Sequence, residues 1–277
     1  MRLGVVSDVH MTMDPATRAS WHNPYDFAGL PGRIDAVRDV FRRAGVDAAV
    51  VCGDVTHAGD SEAVRAALGR LKAGLDRPVL VVAGNHDMLE SDDGLERSMP
   101  DGCRMLPPEP FALGAVRLAG VPVARDPETR TPRWTGAGEL VGDGRVSVVA
   151  SHFPVISRAR RLRELGLAYP RGLGNREELY RHVCGGGPVV VLSGHIHARE
   201  SHAEGRVLQL SAGALVEAPY EAAIVDVSVR RWLVRVRRRV QVLGPPPAGP
   251  DPVLAPADET WIFTAGCWWR ARPWRRR

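Results

Sequence analysis

Short aliphatic runs recur along this chain, and the same few polar residue types close them. Leu3-Gly4-Val5-Val6 closes on Ser7-Asp8-Val9-His10, and Ala48-Ala49-Val50-Val51-Cys52 closes on Gly53-Asp54. Residues 79–83 run into Gly84-Asn85-His86-Asp87, residues 146–150 into Ser151-His152-Phe153-Pro154, and residues 188–192 into Ser193-Gly194-His195-Ile196-His197. Runs this short, apolar on both faces, predict strands buried in a parallel sheet. Between the first three, Ile34, Val37, Val40 and Phe41, then Ala63, Val64, Ala67, Leu68 and Leu71, recur at helical spacing, where parallel strands require crossovers. Asn175 with Glu178 three residues on predicts a capping box ahead of Leu179 and Val183. Residues 111–124 and 206–240 read mainly as strands, with 222–227 and 232–240 as a hairpin. The fold class expected is α/β.

A single polar strand end is ordinary turn chemistry, because Asn and Gly tolerate positive φ and Asp bonds to nearby backbone. Five of them together are a pattern, since ligands of open α/β sheets bind at the carboxyl ends of strands. Asp8 and His10 lie two apart, so an extended chain would point both to one side, and His195 and His197 repeat the spacing. Three stretches, 11–29, 88–110 and 122–145, are longer and less regular than simple connections. The first carries Arg18, Trp21, His22, Asn23 and Tyr25, a mixture suited to stacking on a ring and bonding a phosphate. Along the second strand of the hairpin, Trp232, Val234 and Val236 alternate with Leu233, Arg235 and Arg237. The Arg residues at the end of that strand are expected on a solvated face.

A chain of 277 residues with 44% hydrophobic content can bury one large core. No stretch approaches 18 apolar residues in a row, so no membrane span is expected. The amino terminus enters a strand carrying Asp8 at once, which argues against a cleaved signal peptide and for a cytoplasmic protein. Cys52, Cys103, Cys184 and Cys267 show no Cys-x-x-Cys spacing, so neither a disulfide framework nor a zinc ribbon is expected. The net charge of +5 is uneven: residues 229–277 hold 11 Arg against 3 acids. Lys72 is the only Lys among 37 basic residues. Such a skew fits codon composition better than a nucleic-acid surface, so nucleic acid is not an expected partner. From 243 to 277 the chain is first Pro-rich and then Trp- and Arg-rich, with Trp261, Trp268, Trp269 and Trp274. Such a tail could pack on the domain, join a partner or meet an anionic surface.

The polar strand ends define a chemistry. Asp8 and Asp54, Asn85, and the imidazoles of His10, His152, His195 and His197 form an oxygen and nitrogen set without a thiolate, suited to Mn, Fe, Zn, Co or Ni. Seven side chains exceed the needs of one such ion. If one carboxylate bridges, the set serves two, and Asp54 is the central candidate. Two divalent ions about 3.5–4 Å apart can share a hydroxide, lower its pKa and clamp the attacking and leaving oxygens of an in-line displacement. Phosphoryl transfer is the reaction this serves best.

Asp8-Val9-His10, Gly53-Asp54, Gly84-Asn85-His86-Asp87, His152 and Gly194-His195-Ile196-His197 resemble, in order, the five blocks of the calcineurin-like metallophosphoesterase superfamily. The resemblance implies a four-layer α/β/β/α sandwich over residues 1–242, with metals at the strand ends and residues 243–277 as a tail. It implies that Asp8, His10, Asp54 and His197 hold one divalent or transition-metal ion, and Asp54, Asn85, His152 and His195 a second, with Asp54 bridging. It also implies that His86 contacts the phosphate and protonates the leaving oxygen, with Asp87 orienting the imidazole.

Asp54-Val55-Thr56 followed by Gly59, and Ser151-His152-Phe153-Pro154, look most like the cyclic-nucleotide (class III) phosphodiesterase branch. This implies a small nucleotide-like phosphodiester as substrate. The alternatives are a monoesterase acting on a sugar or nucleoside phosphate, and a non-catalytic scaffold like the retromer subunit of this fold. The sequence leaves the oligomeric state open, a dimer included. His57 is read as a neighbour of the site or a surface residue, and His22, His182 and His202 match no motif.

Overall fold

The computed structural model describes the chain except residues 15, 18–24, 90–92, 143, 168–171, 232, 248, 250 and 272–277. The apolar runs become strands. The first half contains β1 (Arg2–Val6), β2 (Ala48–Cys52), β3 (Val79–Val82), β4 (Cys103–Met105), β5 (Phe111–Leu113), β6 (Val116–Gly120), β7 (Val123–Arg125) and β8 (Pro132–Trp134). The second contains β9 (Ser147–Ala150), β10 (Val189–Ser193), β11 (Glu200–Glu204), β12 (Val207–Ser211), β13 (Glu221–Arg230), β14 (Leu233–Val242), β15 (Asp258–Thr264) and β16 (Cys267–Arg270). The helices are α1 (Leu30–Ala44), α2 (Ser61–Lys72), α3 (Gly94–Arg97), α4 (Ala159–Glu164) and α5 (Arg176–Cys184).

One sheet of eight strands runs β16-β15-β14-β13-β1-β2-β3-β4, and one of six runs β11-β12-β10-β9-β6-β5. The small β7–β8 ladder lies within the irregular stretch 122–145. Alternation along each strand divides the side chains between layers. Leu3, Val5, Val50, Leu80 and Val82 face Leu118, Val148, Val190, Leu192 and Leu210 in a core between the two sheets. On the outer face of the larger sheet, Val6, Val51, Val79 and Val81 pack on Ile34, Val37 and Phe41 of α1 and on Ala63, Val64 and Leu68 of α2. On the outer face of the smaller sheet, Val149, Val189 and Val191 pack on Leu179 and Val183 of α5. The result is the four-layer α/β/β/α sandwich. Gly4 sits in β1 because α1 packs there so closely that a Cβ would lie 2.6 Å from the Phe41 ring.

Two local expectations require correction. Asn175 stands at the N-cap position of α5 without capping it. Its side chain instead exchanges hydrogen bonds with the backbone of Trp134 on β8, accepting at 2.8 Å and donating at 2.9 Å, and Glu178 Oε2 only accepts from it at 3.2 Å. A long-range partner with unpaired backbone groups has outcompeted the local cap. The second correction concerns β14: Arg235, Arg237 and Arg239 do face outward, but Arg238 falls on the inner side with Val234 and Val236 and is buried. Its guanidinium pairs with Glu259 at 2.6 Å and donates to the carbonyls of Glu200 and Ser211, each at 3.0 Å. Burial is tolerated because the charge is paired and hydrogen-bonded.

The partner Glu259 lies on β15, so the carboxyl-terminal segment is tied into the sandwich. Val236 pairs in register with Trp261, Val234 with Phe263, and Phe263 with Trp268. Trp261, Phe263 and Trp268 extend the core between the sheets, while Trp269 is exposed. Trp232, the residues 18–24 that include Arg18, Trp21, His22 and Asn23, and Trp274 lie outside the described residues.

Candidate metal centre

The parallel strands β1, β2 and β3 of one sheet and β9 and β10 of the other all end at the same edge of the sandwich. Beyond the ladders the chain keeps pairing. Asp8 N donates to Gly53 O at 3.2 Å and His10 N to Asp54 O at 2.8 Å, while Gly194 N donates to His152 O at 3.0 Å. The two sheets meet at the carbonyl of Cys52, which accepts from Ser7 Oγ at 2.8 Å and faces His152 Nδ1 at 2.9 Å. The extended backbone expected for Asp8 and His10 does not occur. Asp8, His10, Asp54, His195 and His197 all have positive φ, between 48° and 69°. This region is sparsely used by residues other than Gly, and strain of this kind collects at functional sites. The sharp turns, not alternation, aim these side chains into the gap between the sheets.

All seven side chains expected at the centre are brought together. Asp54 Oδ2 lies 3.3 Å from His152 Nε2 and 3.6 Å from His10 Nε2. His197 Nε2 is 3.3 Å from Asp8 Oδ1. His152 Nε2 also meets Asn85 Oδ1 and His195 Nδ1, each at 3.1 Å. Ligand atoms of Asp8, His10 and His197 lie within 4.8 Å of one another, as do those of Asp8, Asp54 and His152. Two backbone amides brace the carboxylates: His86 N donates to Asp54 Oδ1 at 2.8 Å, and His195 N to Asp8 at 3.1 Å.

The donor set fits metal ions on two observations. Both ring nitrogens of the buried His10 lack a hydrogen-bond partner among the described residues, a costly state for an imidazole without a ligand role. His152 Nδ1 lies against Cys52 O, so its Nε2 is left facing a carboxylate oxygen, an amide oxygen and a second ring nitrogen, and ligand atoms crowd one point. The electrostatics point the same way. Burial opposes charge on Asp8, but the facing His197 holds its carboxyl down at about 2. Burial likewise opposes charge on Asp54, which His152 holds well below the usual carboxylate range. Against burial, Asp54 lifts His152 to about 9. Burial and the Asp8 charge push the Cys52 thiol far up, and its side chain packs in the apolar core between the sheets. The arrangement draws positive charge to its centre.

A model of calcineurin-like phosphoesterases matches residues 1–199. The chain belongs to the calcineurin-like phosphoesterase family. No curated protein matches it in sequence. Among solved structures, a dimetal phosphatase from Danio rerio is 15% identical, aligned over 94% of this chain and 98% of its own, with a TM-score of 0.60. The Thermus thermophilus protein TT1561 is 14% identical over 81% of this chain and 93% of its own, with a TM-score of 0.49. The phosphoesterase Yfce of E. coli is 14% identical over 84% and 91%, with a TM-score of 0.41. The likeness to the first of these is a likeness of fold. Among the described residues, no helix is long and apolar enough to cross a membrane.

His86 and Asp87 also reach the centre, but not in the relation expected. Asp87 does not orient the His86 imidazole. Its two carboxylate oxygens accept from Thr56 N at 3.0 Å and Gly84 N at 2.9 Å, because the tight turn leaves those amides unpaired. Burial, and next the negative Asp54, push its carboxyl up to about 7, with the two amides working the other way. The His86 ring is held instead by the carbonyl of His57, 2.6 Å from Nδ1. His57 is therefore a neighbour of the site, its ring stacked on His86 at 5.3 Å between centroids and half-buried. Tyr25 of the long first loop lies at the centre too, 5.6 Å from the His197 ring and nearly parallel to it. His182 packs on Trp134, and His202 sits on β11, both away from the cluster.

Two polar residues at the site escaped the sequence reading. Glu217 Oε1 lies 3.4 Å from His197 Nδ1, and Arg125 donates to the carbonyl of Asn85 at 3.1 Å. Neither belongs to one of the five strand-end blocks read from the sequence, so only tertiary contact reveals them. The glycines before the ligands follow a shared logic. A Cβ on Gly84 would collide with Asp54, on Gly53 with the His152 ring, and on Gly194 with Ser7 Oγ and Asp8 Oδ2. We expect Gly194→Ala to lower stability by about 1–3 kcal/mol through overpacking, and to reduce metal content as Asp8 is displaced. Denaturant unfolding of the metal-free protein with metal analysis checks this, and an unchanged midpoint would show that the site yields freely.

Proposed function

We propose that the protein is a dinuclear metal-dependent phosphoesterase that hydrolyses a small phosphodiester, with a cyclic nucleotide or related nucleotide-like diester as the leading substrate. The carrying observation is the convergence of seven oxygen and nitrogen donors around Asp54, whose Oδ2 is shared between His10 and His152. Asp8, His10, Asp54 and His197 would hold one ion, and Asp54, Asn85, His152 and His195 the other. Two bound divalent ions, of manganese, iron or zinc type, would supply an activated water and neutralise charge on the phosphate. The rest falls to the chain. His86, with Nδ1–H donated to His57 O, can present Nε2 as the acid toward the leaving oxygen. Asp87 holds the turn that carries it, by accepting from Gly84 and Thr56. Tyr25, stacked on His197 and beside His10, adds an aromatic ring to the lining of the centre.

The motif Asp54-Val55-Thr56 and the ring of Tyr25 favour a nucleotide-like diester. Turnover of 2′,3′- and 3′,5′-cyclic nucleotides by the Mn²⁺-loaded protein is expected to exceed that of nucleoside and sugar monophosphates by at least tenfold in kcat/KM, about 1.4 kcal/mol of discrimination. Higher kcat/KM for the monophosphates would reverse the assignment to a monoesterase. A protein that binds both ions yet turns over no phosphoester would favour an interaction scaffold.

A further inference from the structure

Behind His197, on the side away from Asp8, stands a carboxylate that none of the strand-end motifs contains. The connection from β12 to β13 is pressed against the end of β1, with Leu215 N donating to Ser7 O at 3.1 Å and Val216 N to Asp8 O at 3.1 Å. Ala214, Leu215 and Val216 are buried, so the next residue, Glu217, is delivered at a fixed height above the centre. Glu217 Oε1 lies 3.4 Å from His197 Nδ1, and its side chain and that of His197 are only 14% and 13% exposed. Its other oxygen, Oε2, is buried without a hydrogen-bond partner among the described residues. On the far edge of the same ring, His197 Nε2 faces Asp8 Oδ1 at 3.3 Å.

The imidazole is thus strung between two carboxylates, and only one arrangement of its proton suits a ligand. With the proton on Nδ1, facing Glu217, the Nε2 lone pair is free to point at an ion beside Asp8. With the proton on Nε2, that nitrogen donates to Asp8 and can ligate nothing. At 3.4 Å the Glu217 contact is a proximity of charge rather than a formed hydrogen bond, since His197 Nδ1 has no hydrogen-bond partner among the described residues, but in a buried setting that charge still biases the choice. We propose that Glu217 is the positioning residue of His197, fixing its tautomer and ring orientation so that one of the two metal sites, the one that includes Asp8 and His10, is preorganised. The proposal rests on the dinuclear reading above. It adds to that reading a residue from outside the motif blocks, whose loss acts on one ion only.

The test is a calorimetric titration of chelator-treated protein with Mn²⁺, with bound metal counted by elemental analysis and melting of the same metal-free samples recorded. Wild-type protein is expected to take two ions per chain. Glu217→Ala is expected to keep one affinity and weaken the other by about 10–100-fold, the range found when an outer partner of a ligating His is removed. Glu217→Gln, which keeps an acceptor oxygen without the charge, should fall between. Since Glu217 acts through His197, Glu217→Ala added to His197→Ala should weaken binding no further than His197→Ala alone. Two affinities equal to wild type in Glu217→Ala would overturn the assignment. So would an equal weakening of both ions accompanied by a lower metal-free melting temperature, which would mean that Glu217 merely supports the loop. A wild-type protein that takes up no metal would instead remove the dinuclear reading, and this proposal with it.

Discussion

Asp54→Ala is expected to abolish hydrolysis of bis-p-nitrophenyl phosphate by the Mn²⁺-loaded protein, by more than about 10³-fold, or ~4 kcal/mol of transition-state stabilisation. The size of the effect follows from how much converges on one side chain. Oδ2 faces both His10 and His152, and Oδ1 accepts from the amide of His86, so its removal empties the junction of both proposed ligand groups and releases the turn that carries His86. Asp54→Asn separates these contributions. The amide oxygen can still accept from His86 N, so the turn should hold, but the bridging negative charge is gone, and metal content should fall as it does in Asp54→Ala. Asn85→Ala, which removes a neutral oxygen facing His152, should cost one ion and most of the activity. Elemental analysis beside the kinetics decides the matter: two tightly held ions in Asp54→Ala would mean that Asp54 does not bridge.

The centre was legible in the sequence because its residues sit where chain direction changes. Each follows an aliphatic run, and a parallel sheet must deliver the ends of such runs to one edge. Alternation is nevertheless not what puts Asp8 and His10 on one side, since alternation belongs to an extended chain and both residues are left-handed. What could not be read were contacts set by one chain segment approaching another. Arg238 alternates with solvated neighbours like any strand residue of a charged face, and its burial depends on Glu259, twenty-one positions on, reaching back across β15. Asn175 satisfies every local rule for a cap and gives up the role to the backbone of β8. Asp87 holds two amides rather than the His86 ring, because an unpaired buried N–H costs more than an unoriented imidazole that a carbonyl can serve as well. Glu217 belongs with these.

His86→Ala is expected to separate the acid from the ligands. The backbone amide of His86 donates to Asp54 Oδ1, and an alanine keeps that bond, while its ring lies with those of His10 and His57, ligand atoms within 4.8 Å of one another. The imidazole is buried to 9% exposure and held at Nδ1 by His57 O, which leaves Nε2 as the nitrogen that can carry a proton to the leaving oxygen. Its nearest ring, His10, stands edge-on at 4.6 Å between centroids, so the acid would lie beside the first ligand group without belonging to it. Metal content should therefore stay near two ions per chain, unlike that of any ligand variant. General acid catalysis contributes about 10²–10⁴-fold, and most where the leaving oxygen is too basic to depart unaided. The loss should approach the upper end of that range on alkoxide-leaving diesters such as cyclic nucleotides, and be at least tenfold smaller on nitrophenyl esters, whose phenolate departs without a proton. Paired kinetics on the two leaving-group classes, with metal analysis of the same samples, tests this. Equal losses on both classes would make His86 a phosphate-binding residue rather than the acid, and loss of one ion would make it a ligand.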